Sequence, residues 1–397
     1  MGINEIVIYL MVIFMVVGAI DKIFKNKLKL GDKFDEGLMA MGSLALAMVG
    51  IIVMAPILAK VLSPIVVPVY TALGADPAMF AGSLLAIDMG GLPLAQEMAL
   101  TEDAAMFSGI ILGAMMGATI VFSIPVSLGI IRKEDQSYLA TGMLAGFISI
   151  PAGGIVGGLV AGYSFMMVIT NLIPIFILAA LIILGLWKIP QQMIKGFTIF
   201  GYGVVIVATA GLAIGIIDVL TGITIIPGIG SLEEGIQIVG SIAIVLAGAF
   251  VMVEVITRVF KKPLMQVGKM LGMNDVSAAG MVATLANNIA MFNLMKDMDN
   301  RGKIINVAFS VPAAFMLGDH LGFAAGVARD MIFPMIAGKA AGGIVAIIIA
   351  IVNTFVCIAG VFIEDDSTCR RRRKRESKWK KVKKKSDLSR NLFPENR

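Results

Sequence analysis

Again and again along the chain comes an apolar run of about 17 to 25 residues, the length a helix needs to cross a hydrocarbon core of ~30 Å. Nine such runs can be placed, near 5–21, 37–59, 104–131, 138–162, 164–187, 197–220, 235–257, 304–327 and 340–362. Inside lipid the backbone can satisfy its polar groups only in helices or closed barrels, and runs of this length select helices. The expected fold is therefore an all-α polytopic membrane protein with about nine transmembrane helices. Hydrophobic residues make up 58% of the chain and charged ones only 15%, which excludes a soluble globule of this length. No Lys or Arg precedes the first run, so it is expected to stay as a span rather than be cleaved as a signal.

Charge fixes an expected orientation. With the N-terminus outside, the cytoplasmic connections hold sixteen Lys and Arg, among them Lys22, Lys33, Arg132, Lys195, Arg258 and Lys303, while the outer ones hold Lys60, Arg329 and Lys339. Basic residues collect on the cytoplasmic side. A basic segment at 364–397 then falls in the cytoplasm, and residues 1–363 form the membrane transport domain, with repeat halves near 37–187 and 235–362. That basic segment reads as a solvated tail rather than a nucleic-acid module, since nothing upstream resembles one. The lipid bilayer is the expected surrounding, and the sequence is silent on whether the protein is a homo-oligomer.

Two apolar stretches, 77–103 and 274–303, are too long for loops and broken in the middle. LAIDMGGLPLAQEM at 85–98 aligns without a gap on LANNIAMFNLMKDM at 285–298, placing Asp88 opposite Asn288 and Glu97 opposite Asp297. An odd number of spans separates the copies, so they have opposite orientation in the bilayer. Inverted repeats with broken helices are the signature of secondary transporters. Each copy is expected to form a re-entrant helical hairpin, with arms of about 12 residues reaching ~18 Å. Non-helical backbone at that depth is tolerated where protein or a wet cavity surrounds it, so the tip at Met89–Pro93 points to a binding cavity.

Acids inside a membrane are costly and mark ion or substrate paths. Asp88 is the first candidate for substrate or ion binding, beside Gly90 and Gly91, whose missing side chains would let a ligand approach the backbone. The competing reading is that Asp88 caps the second arm. Asn287, Asn288 and Asn293 crowd the second tip, either as ligand donors and acceptors or as partners of their own broken backbone. Glu97 and Asp297 read as solvated helix ends. Asp319 and the only histidine, His320, fall deep in the 304–327 run, as a proton relay or cation site, or with His320 bonded to a carbonyl. Cys357 and Cys369 have no CxxC pairing, which supports neither a disulfide framework nor a metal site. No HExxH motif and no nucleophile near His320 in sequence argue against an intramembrane enzyme. No cofactor is implied.

The succession of MGINEIVIYLMVIFMVVGAIDKIF, GSLLAIDMGGLPLAQEMALTEDAAMFSGIILGAMMGATIVFSIPV and ATLANNIAMFNLMKDMDNRGKIINVAFSVPAAFMLGDHLGFAAGVARDM resembles the ethanolamine permease family of bacterial ethanolamine-utilisation systems, over residues 1 to about 362. The resemblance implies uptake of ethanolamine across the bacterial cytoplasmic (inner) membrane. The basic segment after Ile363 departs from that family. A more distant likeness of architecture, to concentrative nucleoside transporters, leaves a nucleoside or ion transporter as the alternative. A site for ethanolamine or a similar small amine needs a carboxylate for the ammonium and a polar group for the hydroxyl, which Asp88 with Asn287 and Asn288 can supply. Whether a proton or sodium ion is coupled is not readable from these residues.

Overall fold

The computed structural model describes residues 2–359, so the basic segment 364–397 and Cys369 lie outside the described residues. Among the described residues, those up to 347 form one compact unit, and the last turns of the final helix, from 348, fall outside it.

Every regular element among the described residues is helical. Helix α1 (Ile3–Ile23) is followed by α2 (Gly31–Leu44), which a π-helical turn at Ala45–Val49 joins to α3 (Gly50–Ala72). The expected 37–59 run is thus the middle of one 42-residue helix, and Lys60 sits within it, not in a loop. Two short helices, α4 (Met79–Leu84) and α5 (Leu92–Met98), come next. After them α6 (Glu102–Met106), the π-helical stretches Phe107–Gly117 and Thr119–Ser123, and α7 (Ile124–Ile130) make one continuous span. That span is the central one, with 83% of its most apolar window buried against 11% for α1. Long runs of π-helix are rare and gather at functional sites.

The chain continues through α8 (Gln136–Val160), α9 (Phe165–Lys188), α10 (Pro190–Thr221) and α11 (Leu232–Met270). It then forms α12 (Asp275–Ala286), α13 (Asn288–Leu294), α14 (Asn300–Ala313), α15 (Asp319–Val327) and α16 (Ile332–Ala359). α8 packs on α9 and α14, α3 on α10, and α11 on α1, α2, α12 and α15. Gly142 and Gly146 of α8 allow the close approach to α14, since a methyl group on either would meet the Val307 or Val311 side chain within 2.5 Å. Large apolar side chains such as Leu181, Tyr202 and Leu220 stand exposed on the outer helices, where lipid takes the place of a core.

Eight helices among the described residues are long and apolar enough to cross a membrane. The ninth expected run, 304–327, is not one helix: α14 ends at Ala313 and α15 begins at Asp319. Pro312 inside α14 lacks an N–H for the helix ladder and Phe315 takes φ +60°, a conformation an aromatic residue rarely adopts, so the helix unwinds there.

Both broken stretches are hairpins, and each is closed at its base by an aspartate. Asp76 accepts from the backbone N–H of Ala78 and of Leu100, tying the entry of the first hairpin to its exit. Asp299 accepts from the backbone N–H of Asn274 and the Ser277 hydroxyl, doing the same for the second. The arms of the first hairpin are shorter than expected, six residues in α4 and seven in α5.

Candidate functional site

The first hairpin turns through extended backbone at Leu85 and Ala86, followed by a π-type turn at Ile87–Gly91. Gly90 holds φ +85°, which a side chain would strain. A methyl group there would lie 2.0 Å from Ile51, and one on Gly91 would lie 2.7 Å from the Ala86 carbonyl oxygen. Gly90 lets the turn seat against α3 and Gly91 lets it close on itself. Ser108 secures the hairpin to the central span, accepting from the Gly82 N–H and donating to the Ala78 carbonyl.

The second hairpin breaks at Asn287, whose backbone is extended and whose side-chain oxygen accepts from the Ile289 N–H, capping α13. Asn293 is exposed and donates to the Ile289 carbonyl one turn back. Asn288 is fully buried, donating to the Ser123 hydroxyl of the central span at 2.6 Å, and its own carbonyl oxygen has no hydrogen-bond partner. The unwound stretch between α14 and α15 runs alongside the end of α12, with the N–H groups of Phe315 and Leu317 donating to the carbonyls of Thr284 and Leu285. Two interruptions thus satisfy each other's backbone, which is how unwound chain persists away from water. A methyl group on Gly318 would lie 2.2 Å from the Ala286 carbonyl oxygen, so only glycine permits this approach.

Where the two hairpins and the unwound stretch converge there is a cavity of about 290 Å³. Asp88, Asn287, Asp319 and His320 line it together with Phe122 and Phe315. Asp88 sits in the π-type turn ahead of α5, whose N-cap position is Gly91. Asp319, at the first position of α15, is close enough to Asp88 for the two carboxylates to repel. Phe315 lies tilted over the His320 ring at 5.1 Å between centroids and meets Phe122 edge-on at 5.7 Å. The cavity therefore has two acidic groups, one amide and aromatic walls, a setting that suits a small cation with a polar end.

Asp319, Asn287 and Ile289 also line a second cavity of about 490 Å³, which opens among Lys33, Glu36 and Glu254. This outer cavity, the vestibule, shares those three residues with the inner one. Glu97 is exposed at the end of α5 and lines neither cavity. Of the sequence candidates, Asp88, Asn287, Asp319 and His320 share the inner cavity, Asn293 lines the vestibule, and Asn288 braces the second tip from behind.

One residue of this region belongs to an outer loop by sequence pattern and to the membrane interior by structure. Lys339 lies two turns inside α16, 1% exposed, with its ammonium donating to the Ala114 carbonyl of the central span. Its Nζ is 3.0 Å from His320 Nδ1. Among the described residues no carboxylate forms a direct ion pair with it, although Asp88 lies within electrostatic reach. The signal that could have found it is a lone lysine in FPMIAGKAAGGIVAIIIA, flanked by small residues inside an apolar run.

The family model described as ethanolamine utilisation protein, EutH, matches residues 3–352. A protein of Listeria monocytogenes named probable ethanolamine permease EutH is 70% identical over 351 residues, covering 88% of this chain and 94% of that one. A protein of Escherichia coli K12 with the same name is 52% identical over 388 residues, covering 88% of this chain and 95% of that one. A protein of Bacillus subtilis named uncharacterized protein YxeR is 49% identical over 346 residues, covering 87% and 94%. No solved structure matches the chain.

Proposed function

From the premise that this chain belongs to the ethanolamine utilisation protein EutH family, we propose that it carries ethanolamine across the bacterial cytoplasmic membrane by alternating access. The observation that carries this reading is the cavity where two broken helices meet, with Asp88 and Asp319 on its wall and an amide beside them. A protonated amine crosses hydrocarbon poorly because its charge must leave water. Two carboxylates at the point of crossing replace that hydration.

In this reading the ammonium sits between Asp88 and Asp319. The Asn287 carbonyl is already occupied by the Ile289 N–H, so the Asn287 amide nitrogen faces the hydroxyl of the ligand as a donor. Phe315 and Phe122 cover the two-carbon body. A volume of about 290 Å³ has room for a small amine, and the two carboxylates favour a cation over an uncharged nucleoside. The vestibule at Lys33, Glu36 and Glu254 is then the cytoplasmic exit, on the side where basic residues collect. Rocking of the two hairpins against the central span opens the other face.

The test is uptake of labelled ethanolamine into proteoliposomes at acidic external pH, where almost none of it is uncharged. A hydrogen-bonded charge contact contributes about 1.5–3 kcal/mol, so Asp88→Asn is expected to weaken apparent affinity about ten- to a hundredfold. Unchanged uptake in Asp88→Asn and in Asp319→Asn would remove the site, and competition by nucleosides but not by small amines would redirect the assignment to another substrate.

A further inference from the structure

Behind the inner cavity, two groups able to carry a proton are fully enclosed and share one contact. His320 and Lys339 are each 1% exposed, and Nδ1 of one faces Nζ of the other at 3.0 Å. Two cations at that separation, away from water, cannot both persist, because neither desolvation nor mutual repulsion is offset. The pair therefore holds at most one proton. The imidazole belongs to the cavity wall and the amine does not, so a proton reaches Lys339 only through the ring.

We propose that His320 and Lys339 form a single proton-binding site behind the amine cavity, and that amine and proton bind in competition. The proposal rests on the cavity being the amine site. In the loaded form the Lys339 ammonium donates to the Ala114 carbonyl and to His320 Nδ1, with the ring proton on Nε2. On release, a proton passes from Nζ to Nδ1 while the Nε2 proton leaves to water in the cavity. Lys339 is then a neutral amine that still donates to Ala114 and accepts from Nδ1–H, and no proton is gained or lost beyond the one that departs. The ring ends in its other tautomer.

The charged groups around this pair explain the competition. Asp88 reaches Lys339 electrostatically from the first hairpin, and Asp319 precedes His320 on α15, with Glu36 of α2 acting on Asp319 from the vestibule. The π-helical stretch that supplies Ala114 carries no titratable side chain, and Lys303 of α14 is taken by Asp135. Asp88 thus faces one exchangeable positive charge, with Asp319 beside it on the cavity wall, and an arriving ammonium supplies that charge in place of the proton. The exchange moves the equivalent of one uncharged amine, with no net charge crossing.

Because the chain has one histidine, ¹⁵N-histidine labelling gives a single imidazole to follow in detergent-solubilised protein. The expected result is that saturating ethanolamine at about pH 7 switches the ring from the Nε2–H to the Nδ1–H tautomer, and that Lys339→Gln abolishes the switch. Ethanolamine affinity, read by isothermal calorimetry, should strengthen about tenfold per pH unit across the transition, with about one proton released per amine bound. Equal affinity in sodium and potassium buffers belongs to the same expectation. If ethanolamine binds but the ring is unaffected by amine and by pH from about 5 to 9, the proton site is overturned and the amine reading stands. Amine binding that requires sodium overturns the proton site in the same way. If ethanolamine does not bind while the ring still changes tautomer with pH in a Lys339-dependent way, the proton site stands and the amine reading falls. The wild-type measurements decide the question even if Lys339→Gln does not fold.

Discussion

Replacing Lys303 with methionine removes one charge from a pair that water hardly reaches, the side chains of Lys303 and Asp135 being 10% and 2% exposed. The pair joins α14 to the turn preceding α8, two helices that pack on one another. In the variant, Asp135 Oδ1 loses its partner, and Oδ2 already has none. Stranding a buried charge in this way costs about 3–5 kcal/mol. Unfolding in mixed micelles titrated with sodium dodecyl sulfate, followed by circular dichroism, measures the loss. Adding Asp135→Asn to Lys303→Met removes the stranded charge and should recover about 2 kcal/mol or more. A single variant within about 1 kcal/mol of wild type, or a double variant no better than the single one, would refute the reasoning.

Asp76→Ala leaves the Ala78 and Leu100 N–H groups at the base of the first hairpin without an acceptor, which should cost about 2 kcal/mol and speed amide exchange across 76–100 while α8 and α14 stay protected. Asn287→Ala removes the cap of α13 and should cost about 1 kcal/mol. Asn287→Ser keeps a capping oxygen but loses the amide donor, so stability should hold while ethanolamine affinity falls several-fold. An affinity loss confined to Asn287→Ala, alongside its stability loss and absent from Asn287→Ser, would assign Asn287 to the backbone alone.

The spans are legible in the sequence because a membrane leaves few ways to bury twenty apolar residues, and eight of the nine expected runs contain or coincide with a continuous helix. The break in 304–327 is not, because glycine and proline are common in membrane helices. Beyond Pro312 and Phe315, the unwound chain is held by its bonds to Thr284 and Leu285, invisible to local pattern. Asp88 and Asp319 stand out as charges in apolar surroundings, and the structure sets both on one cavity. Lys339 is hidden by its place near the edge of an apolar run, where a lysine looks like a loop residue, whereas its helix starts seven residues earlier, at Ile332. Gly90 and Gly91 look in sequence like room for a ligand. That room is filled by Ile51 and by the hairpin's own carbonyls, a packing fact that only tertiary structure reveals.

The backbone bonds from Phe315 and Leu317 to Thr284 and Leu285 also bear on biosynthesis. The acceptors leave the ribosome about thirty residues before their donors, a delay of about 2 to 6 s at ordinary elongation rates. An unpaired carbonyl in hydrocarbon costs several kcal/mol, so α12 and α13 cannot settle into the bilayer during that interval. The second hairpin must wait at the membrane surface and enter together with the chain that completes it.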